Sequence, residues 1–509
     1  MNIRRAALAG LLAGGFDVAA GELFAAVLQW AGVKGTGSPV LAIGSAFVDR
    51  TPPWLKDFAA NTFGTADKKV LLVGMGVVLA LLSAAIGILA DRRRRLGLVA
   101  IALLGAVAGL AALTRPASGA MDVLPAVVGA FAGMGVLVAL LDRAAEPDTA
   151  SYKGHDRRAF LRAGLVTGGL ALVGGAAATW LGKGERNVQA SAAAVRLPTP
   201  VSSAPAIPAG ADLHLKGLTP YLTSRDDFYR IDTALVVPRL TTDDWELRIH
   251  GMVEHEVRLT WDQLLALPMV ERLVTLSCVS NEVGGDLIGN ALWLGHPLKD
   301  LLAQASPTSD ADMVLSKSID GFTAGSPLAA LTDGRDALLA IGMDGKVLPQ
   351  EHGFPARLVV PGLYGYVSAT KWVVDLEVTR FDKAEGYWTP RGWSPMGPIK
   401  TESRIDVPHD GSSVKAGTVA VAGVAWAIHR GVQKVEVRVD GGDWAVARMA
   451  DEPTVDTWRQ WVYEWAATPG KHRLQVRATD GNDDLQIEFK APPAPDGASG
   501  WHTVDVTVS

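Results

Sequence analysis

The sequence predicts three structural classes in one chain: an N-terminal α-helical membrane bundle, a central α+β domain and a C-terminal all-β sandwich. Three observations predict this order. Long uncharged apolar runs are confined to the part before Gly182, a stretch of small residues and prolines follows, and period-2 alternation dominates the end of the chain. At 509 residues the chain has room for about three domains of roughly 150 residues each. The predicted parts are a membrane domain over 1–182, a linker over 183–210, a central domain over 211–400 and the sandwich over 401–509.

Five apolar segments in the N-terminal part are each about long enough to cross the hydrocarbon core of a bilayer. Basic residues cluster before the first, between the second and third, and before the fifth. The positive-inside rule assigns these clusters to the cytoplasm, so five crossings place the rest of the chain on the extracytoplasmic side. The segments are Ala6–Val33, Val70–Ala90, Leu96–Leu113, Val123–Leu141 and Leu165–Leu181.

The residues Arg157-Arg158-Ala159-Phe160-Leu161 resemble a twin-arginine export signal. An ordinary positive-inside cluster is the alternative. A twin-arginine signal exports a protein that is already folded, which would indicate a cofactor inserted before export. The triplet Ala190-Ser191-Ala192 has the Ala-x-Ala spacing of a cleavage site, although linkers have the same composition.

Two carboxylic residues, Asp17 and Glu22, lie within the first apolar segment. Ionisable side chains are costly inside a membrane and often functional. They could serve a proton path or a quinone-facing cleft, or they could line a polar bundle interior. Residues 1–150 contain no histidine and the chain has no Cys-x-x-Cys-His, which excludes a bis-histidine haem in the membrane part and a covalent haem anywhere.

The stretch 183–210 is composed mostly of Ala, Ser, Pro and Gly. This composition predicts an extended, flexible linker between the membrane part and the outer part.

Cys278 is the only cysteine in the chain, and it follows the apolar run that begins at Val274. Turn-forming residues come directly after it, so it should lie where a strand enters a loop. Loops held by a rigid strand often carry chemistry, and a thiolate is a soft ligand for a metal centre. A small buried apolar residue is the alternative for a free cysteine.

From about Asp226 to its end the chain resembles the sulfite oxidase family of molybdopterin enzymes. The likeness covers about the last three-fifths of the chain and none of the predicted spans. The matching pieces are Phe228-Tyr229-Arg230, Thr275-Leu276-Ser277-Cys278 with Asn281, Trp293-x-Gly295 with Leu298 and Leu301, and His352-Gly-Phe-Pro-x-Arg-Leu-Val-Val-Pro-Gly362 closing on Lys371-Trp372.

The resemblance implies Mo-molybdopterin as the cofactor, with Cys278 as the catalytic residue that gives its thiolate to the metal. Arg357 and Lys371 suit the cofactor phosphate, because a guanidinium forks onto phosphate oxygens and an ammonium adds a point charge. Structural alternatives are that Arg357 forms a surface ion pair and that His352 caps a turn. The implied cofactor-binding residues are Tyr229, Arg230, Cys278, His352, Arg357, Ser368, Thr370 and Lys371.

Three departures from the family pattern bear on the substrate. Ser280-Asn281-Glu282-Val283 replaces a segment with a basic pair, Phe322 stands at an expected tyrosine, and Arg230-Ile231-Asp232 replaces Arg-Asn-His. A pocket without those cations and with acids nearby holds a dianion poorly. These departures put sulfite in doubt as the substrate and leave a neutral or cationic sulfoxide, N-oxide or organic sulfur compound as the alternative.

The last hundred or so residues read as alternating strands joined by Asp-Gly turns. Val435, Val437 and Val439 share one face of a strand, and Leu474, Val476 and Ala478 share another. With Trp444, Trp458, Trp461 and Trp465 as core or interface aromatics, this spacing predicts an immunoglobulin-like sandwich. In the family that this region resembles, the C-terminal domain commonly mediates dimerisation, so the resemblance implies a homodimer.

The sequence thus predicts a membrane-anchored, extracytoplasmic molybdenum oxidoreductase that transfers an oxygen atom to or from a small sulfur or nitrogen compound. One cysteine is too few for an iron–sulfur cluster, so electrons must pass to or from a quinone or a separate redox protein. The net charge of -5, without a basic stripe, indicates no nucleic-acid partner. The alternative is a cofactor-free extracellular binding module on a membrane anchor. That alternative requires an exposed aromatic patch on the sandwich and no cavity beside Cys278.

Overall fold

The computed structural model describes residues 3–31, 33, 37–52, 55, 62, 67–115, 118–145, 169 and 184–509. The described residues fold as two compact units. The first unit takes in the chain to Asn187 together with Ala234–Val236, and the second consists of Val188–Thr233 and Val237–Ser509.

The first unit is helical, and a helix pairs the polar backbone groups of these apolar segments within each segment. Four of its helices are long and apolar enough to cross a membrane, and they coincide with the first four predicted spans. The fifth predicted span and the twin-arginine-like residues 157–161 lie outside the described residues, apart from Gly169. The helices are α1 (Ile3–Trp30), α2 (Pro39–Arg50), α3 (Asp67–Arg92), α4 (Arg94–Leu113) and α5 (Leu124–Ala145), with a 3-10 turn at Ala120–Val123.

Glycines allow α1 to pack closely on α3 and α5. A Cβ added at Gly10 would lie 2.7 Å from the backbone nitrogen of Gly87, and one at Gly133 would lie 2.8 Å from Cβ of Asp17. A Cβ at either position would clash with these atoms, so each position requires glycine. Small residues at helix contacts are a common feature of helices that associate in an apolar medium.

The stretch predicted as a flexible linker differs from that expectation. Residues Gly184–Ala194 form helix α6, and Val188 is 2% exposed in an apolar core of the second unit. Further along, the N–H of Val201 donates to the carbonyl of Met269 at 2.7 Å. The alanine-rich composition that suggested a linker is also the composition with the highest helix propensity. The Ala-x-Ala triplet noted above lies inside α6.

The central domain of the second unit is α+β, as predicted. Its elements are β1 (Glu246–Gly251), β2 (Val257–Thr260), α7 (Trp261–Leu265), β3 (Val270–Ser277), β4 (Ile288–Pro297), α8 (Leu298–Ala305), β5 (Met313–Ser318), β6 (Thr323–Pro327), α9 (Leu328–Thr332), β7 (Leu338–Met343), β8 (Lys346–Val347), β9 (Arg357–Val359), α10 (Gly365–Ser368) and β10 (Val373–Thr379). One sheet has the order β2-β1-β10-β5-β6, with β1 and β10 parallel. The other has the order β3-β4-β7-β8, with β9 also paired to β7. Strands β3 and β9 both belong to this second sheet, with β4 and β7 between them.

The C-terminal domain is a β-sandwich, which confirms the predicted fold class. Its strands are β11 (Glu402–Val407), β12 (Ser413–Val414), β13 (Gly417–Trp426), β14 (Val432–Val439), β15 (Ala445–Val446), β16 (Arg448–Met449), β17 (Arg459–Ala467), β18 (Gly470–Asp480) and β19 (His502–Val508). They form sheets of order β11-β13-β17-β16 and β12-β19-β18-β14-β15. Val437 and Val476 pair across β14 and β18, and both are fully buried. Trp461 lies in the core, whereas Trp444 packs edge-on against Trp501 with ring centres 5.0 Å apart.

Candidate active site

Cys278 lies directly after β3, at the start of the loop 278–287. Its N–H donates to the carbonyl of Leu287 at 2.9 Å, and its carbonyl accepts the N–H of Asn281 at 3.1 Å. The side-chain oxygen of Asn281 accepts the N–H of Leu287 at 2.8 Å and so closes the loop. These bonds fix the position of the cysteine, which is 8% exposed.

The C-terminal sandwich braces this loop and the strand that leads into it. The N–H of Thr275 donates to the carbonyl of Asp456 at 2.9 Å, and the Thr275 hydroxyl oxygen accepts the N–H of Trp458 at 2.9 Å. At the far end of the loop, the guanidinium of Arg404 donates to the carbonyl of Gly285 at 2.5 Å. Two domains therefore hold the segment that carries Cys278.

A cavity of about 140 Å³ opens beside Cys278. Five of the eight predicted cofactor-binding residues line it, from three separate stretches of the chain. Cys278, Arg357 and Lys371 converge there, as the enzyme hypothesis requires, and the binding-module hypothesis required no such cavity. The predicted residues that line it are Tyr229, Cys278, His352, Arg357 and Lys371.

Arg357 supplies a buried positive charge to the cavity. Its guanidinium donates to the carbonyls of His352 at 3.1 Å and Ala369 at 3.4 Å, and it lies 5.1 Å from the ring centre of Trp293. Within the described residues it pairs with no carboxylate. Burial lowers the pKa of Arg357 to about 10, so the group stays charged near neutral pH. An anionic group in the cavity would give this charge a partner.

Lys371 is the second cation of the cavity, and it has a carboxylate partner. Its Nζ lies 2.9 Å from Oδ2 of Asp232 and donates to the carbonyl of Glu351 at 3.0 Å. Burial lowers the pKa of Lys371 to about 8, and the attraction of Asp232 only partly opposes that effect. The ammonium is therefore charged at pH 7, but less securely than an exposed lysine.

His352 presents a neutral imidazole. Burial, together with the cations Arg357 and Lys371, lowers the pKa of His352 to about 4. Its Nε2 lies 3.2 Å from the carbonyl of Arg225 and therefore carries the proton, which leaves Nδ1 as an acceptor. Phe228 packs edge-on against the ring at 5.6 Å and fixes its plane.

Cys278 and Tyr229 both lie in a desolvated part of the cavity. Burial raises the pKa of the Cys278 thiol, while hydrogen bonds from Ser280 favour the thiolate. Burial and the neighbouring sulfur raise the pKa of the Tyr229 hydroxyl. A thiol in such surroundings stays protonated until a cation binds the sulfur, because metal binding displaces the proton.

Gly353 allows the turn after His352 to pack closely against Arg357 and Lys371. Its φ of +112° favours glycine, and an added Cβ would lie 3.0 Å from Cβ of Arg357 and 3.2 Å from Cα of Lys371. The turn after His352 therefore depends on this glycine.

Three predicted cofactor-binding residues do not line the cavity. Arg230 is partly exposed and pairs with Asp232 at 3.0 Å. The hydroxyl of Ser368 donates to carbonyls of its own turn, including that of Tyr364 at 2.9 Å. Thr370 is fully buried and shares a hydrogen bond of 2.7 Å with the Ser316 hydroxyl. These three residues were predicted because they lie next to the matched motifs in the sequence, and that position does not reveal which way a side chain points.

The cavity also has an aromatic wall that the sequence analysis missed. Trp388 and Trp393 have ring centres 6.1 Å apart, and Tyr366 lies 5.8 Å from Trp393. Phe322 completes this aromatic wall, and Asp320, whose Oδ1 accepts the N–H of Phe322 at 3.0 Å, also lines the cavity. The only sequence signal for the two tryptophans was their place in a Gly- and Pro-rich segment, which is typical of an ordered loop.

Comparisons with known families bear on both domains of the second unit. Residues 234–388 match the family described as the oxidoreductase molybdopterin binding domain. Residues 402–476 match the family described as the bacterial Ig domain. The cavity-lining residues Cys278, His352, Arg357 and Lys371 all lie inside the first match.

Relatives of known structure or curated function extend the likeness across both domains. Human mitochondrial sulfite oxidase is 30% identical over 341 residues, which cover 57% of this chain and 62% of that protein. Sulfite oxidase of Gallus gallus is 26% identical over 323 residues, 53% of this chain and 69% of that protein. The crystal structure of the sulfane dehydrogenase SoxCD from Paracoccus pantotrophus shares the fold, with a TM-score of 0.50 and 23% identity over 57% of this chain and 82% of that one. This chain thus matches about three-fifths of the length of the human relative.

Proposed function

This chain belongs to the sulfite oxidase family of molybdopterin oxidoreductases, and on that premise we propose that it transfers an oxygen atom to or from a small sulfur or nitrogen compound. The observation that carries the proposal is the convergence of Cys278, Arg357 and Lys371 on one cavity. Four apolar helices support a membrane anchor. The distribution of basic residues supports an extracytoplasmic position for the second unit.

The residues around the cavity fit a molybdopterin cofactor. Cys278 offers one soft sulfur for the metal, and Arg357 offers a fork of N–H groups whose charge has no carboxylate partner within the described residues. Lys371 adds a point charge and neutral His352 adds an acceptor. The guanidinium and the ammonium would hold the phosphate, and the cysteine sulfur would hold the metal.

When bound, the cofactor supplies two-electron oxygen-atom transfer at molybdenum. The protein contributes position and surroundings. Hydrogen bonds of the loop 278–287 hold the sulfur in place, and Tyr229 and Phe228 stack at 5.2 Å to close one side of the cavity against water. The buried Tyr229 hydroxyl keeps its proton and can donate one hydrogen bond into the cavity.

The charges of the cavity favour a neutral or cationic substrate. Lys371 is balanced by Asp232, and Arg357 is placed for the cofactor, so neither cation is left for a substrate dianion. Asp320 adds negative charge next to the aromatic wall. Aromatic faces attract alkyl groups and cationic centres. We therefore propose an alkyl sulfoxide, an amine N-oxide or an organic sulfur compound as the substrate class.

Electrons need an external partner, for which we propose a membrane quinone or a separate redox protein. Cys278 is the only cysteine, and the chain carries no Cys-x-x-Cys-His motif. We also propose a homodimer formed through the sandwich, which rests on the family resemblance.

Metal and pterin content of the purified full chain tests the cofactor assignment. Wild type from a cofactor-competent host should contain about one molybdenum per chain. Cys278→Ser should lose the metal or change its spectrum, and Arg357→Gln should lose the pterin. Arg459→Gln is the matched control, because that guanidinium also donates to two backbone carbonyls, those of Ala450 and Val432, and lies in the sandwich. Wild type without metal and pterin would refute the proposal.

Steady-state assays of the loaded enzyme test the substrate class. Dimethyl sulfoxide, trimethylamine N-oxide and sulfite would each be offered with an artificial electron donor or acceptor. The proposal expects a higher kcat/KM for one of the first two than for sulfite. A clear preference for sulfite would contradict the charge argument while leaving the cofactor assignment intact.

A further inference from the structure

The carboxyl group of Asp17 lies near the middle of helix α1, far from both of its ends. Helix α1 has 28 residues, and Asp17 lies about 20 Å from either end at roughly 1.5 Å per residue. The hydrocarbon core of a bilayer is about 30 Å thick. If α1 spans the membrane, the carboxyl group lies near the middle of the apolar layer.

Two glycines of α5 make room for this carboxyl group. A Cβ at Gly129 would lie 2.5 Å from Oδ1 of Asp17, and one at Gly133 would lie 2.8 Å from its Cβ. The two glycines are four residues apart and so share one helix face. Asp17 is therefore packed between helices rather than turned away from them.

A small cavity of about 20 Å³ adjoins Asp17, where α1, α3, α4 and α5 meet. This volume is enough for about one water molecule. Ser83 brings the second polar side chain, and its hydroxyl fills the space left by the absent side chain of Gly14. The other residues that line the cavity are Gly10, Ala13, Ile86, Ile101, Leu104 and Leu137, and none of them is charged.

Glu22, five residues further along α1, accepts hydrogen bonds from the start of α2, whereas Asp17 does not. Its Oε1 accepts the Ser38 hydroxyl at 2.5 Å and the N–H of Val40 at 3.3 Å, which satisfies the first turn of α2. Within the described part of the chain, no hydrogen bond or ion pair engages the carboxylate of Asp17. The charged groups of α3, α4 and α5 lie at the helix ends, away from this cavity.

We propose that Asp17, with Ser83 and one water in the adjoining cavity, is a proton-binding site of the helical unit. An unpaired carboxylate among apolar side chains is costly, and binding a proton removes the charge. In this step one proton from hydronium in the bulk solvent reaches one carboxylate oxygen through the cavity water, which gives up one proton and regains another, and no electron moves. This inference rests on the proposed membrane placement and is independent of the molybdenum site. It gives the helical unit a role beyond anchoring.

Infrared spectroscopy of the full chain in lipid vesicles tests the proposal. The spectrum of wild type minus that of Asp17→Asn should show the carbonyl band of a protonated carboxyl group at pH 7, and the band should shift in D2O and disappear at alkaline pH. Glu22→Gln is the matched control and should keep the Asp17 band. Asp17→Asn is nearly isosteric, and an unchanged helical circular-dichroism signal of the full chain in vesicles would show that the helices still form.

Two results would overturn the assignment. An Asp17 that is ionised at pH 7 gives no difference band. A band that sodium ions abolish at constant pH would identify a cation site instead of a proton site. Membrane placement is tested separately by resistance to alkaline carbonate extraction, so its failure can be told apart from a failure of the proton site.

Discussion

We predict that the coupling free energy between Lys371 and Asp232 depends on pH. Burial lowers the pKa of Lys371 from 10.5 to about 8, which at pH 7 makes the folded chain less stable by about 3 kcal/mol than it would be with an unperturbed lysine. The sign follows from proton binding. Between about pH 8 and 10.5 the unfolded chain binds the proton that the folded chain has lost, so this contribution to stability rises with pH.

Replacing Asp232 by Asn removes the attraction that keeps Lys371 charged. The largest penalty arises if Lys371 becomes fully neutral in the folded chain, which costs about 5 kcal/mol at pH 7 for a group whose ordinary pKa is 10.5. The coupling free energy between the two residues is therefore at most about 2 kcal/mol at pH 7. At pH 9 Lys371 is already mostly neutral in wild type, so the coupling falls to about zero.

A double-mutant cycle measures this coupling. Asp232→Asn, Lys371→Met and the double variant would be unfolded with urea, as cofactor-free full chain in detergent, at pH 7 and pH 9, with tryptophan fluorescence reporting the second unit. The pairing of Asp232 with Arg230 cancels in the cycle, because it is lost in both variants that carry the Asn. Equal coupling energies at the two pH values, or one near 3 kcal/mol at pH 7, would refute the reasoning.

Three further predictions follow from single residues. Gly353→Ala should lower the melting temperature more than Gly334→Ala, because both have positive φ but only Gly353 would bring its Cβ 3.0 Å from Arg357; equal shifts would contradict the close approach. His502→Gln should remove an acid-sensitive part of the free energy of unfolding. Burial lowers the pKa of His502 from 6.5 to about 4, so wild type should lose up to about 3 kcal/mol of stability as the pH falls from 6.5 to 4. Urea unfolding at several pH values measures this loss, and parallel pH profiles for wild type and variant would contradict it. Asp320→Asn should strengthen inhibition of the loaded enzyme by sulfate several-fold, measured in competition with a neutral substrate, and unchanged inhibition would show that Asp320 does not repel anions.

Sequence patterns predicted the elements whose signal is long or repeated. The four apolar helices and the paired strands β14 and β18 follow from hydropathy and alternation alone. Helix α6 could not be predicted in the same way. Val188 is buried by residues far along the chain, among them Trp293, and the local sequence carries no trace of that contact.

The candidate site was predicted where motif residues point into the cavity, and missed where direction depends on tertiary contacts. Cys278 and Arg357 both line it. Thr370 instead shares a hydrogen bond with Ser316, which lies 54 residues earlier, on strand β5. Trp388 reaches the cavity from a loop without any motif. Residue type and spacing identify candidates, whereas side-chain direction is decided by the packing of distant elements.

The hydrogen bonds between the sandwich and the cysteine-bearing segment bear on how the two domains can be exchanged by recombination. Thr275 and Gly285 form their outer hydrogen bonds with Asp456, Trp458 and Arg404, all beyond residue 400. A recombination event that joined this central domain to a foreign sandwich would leave buried backbone groups without partners next to the cysteine. Exchange of the two domains as a pair avoids this cost.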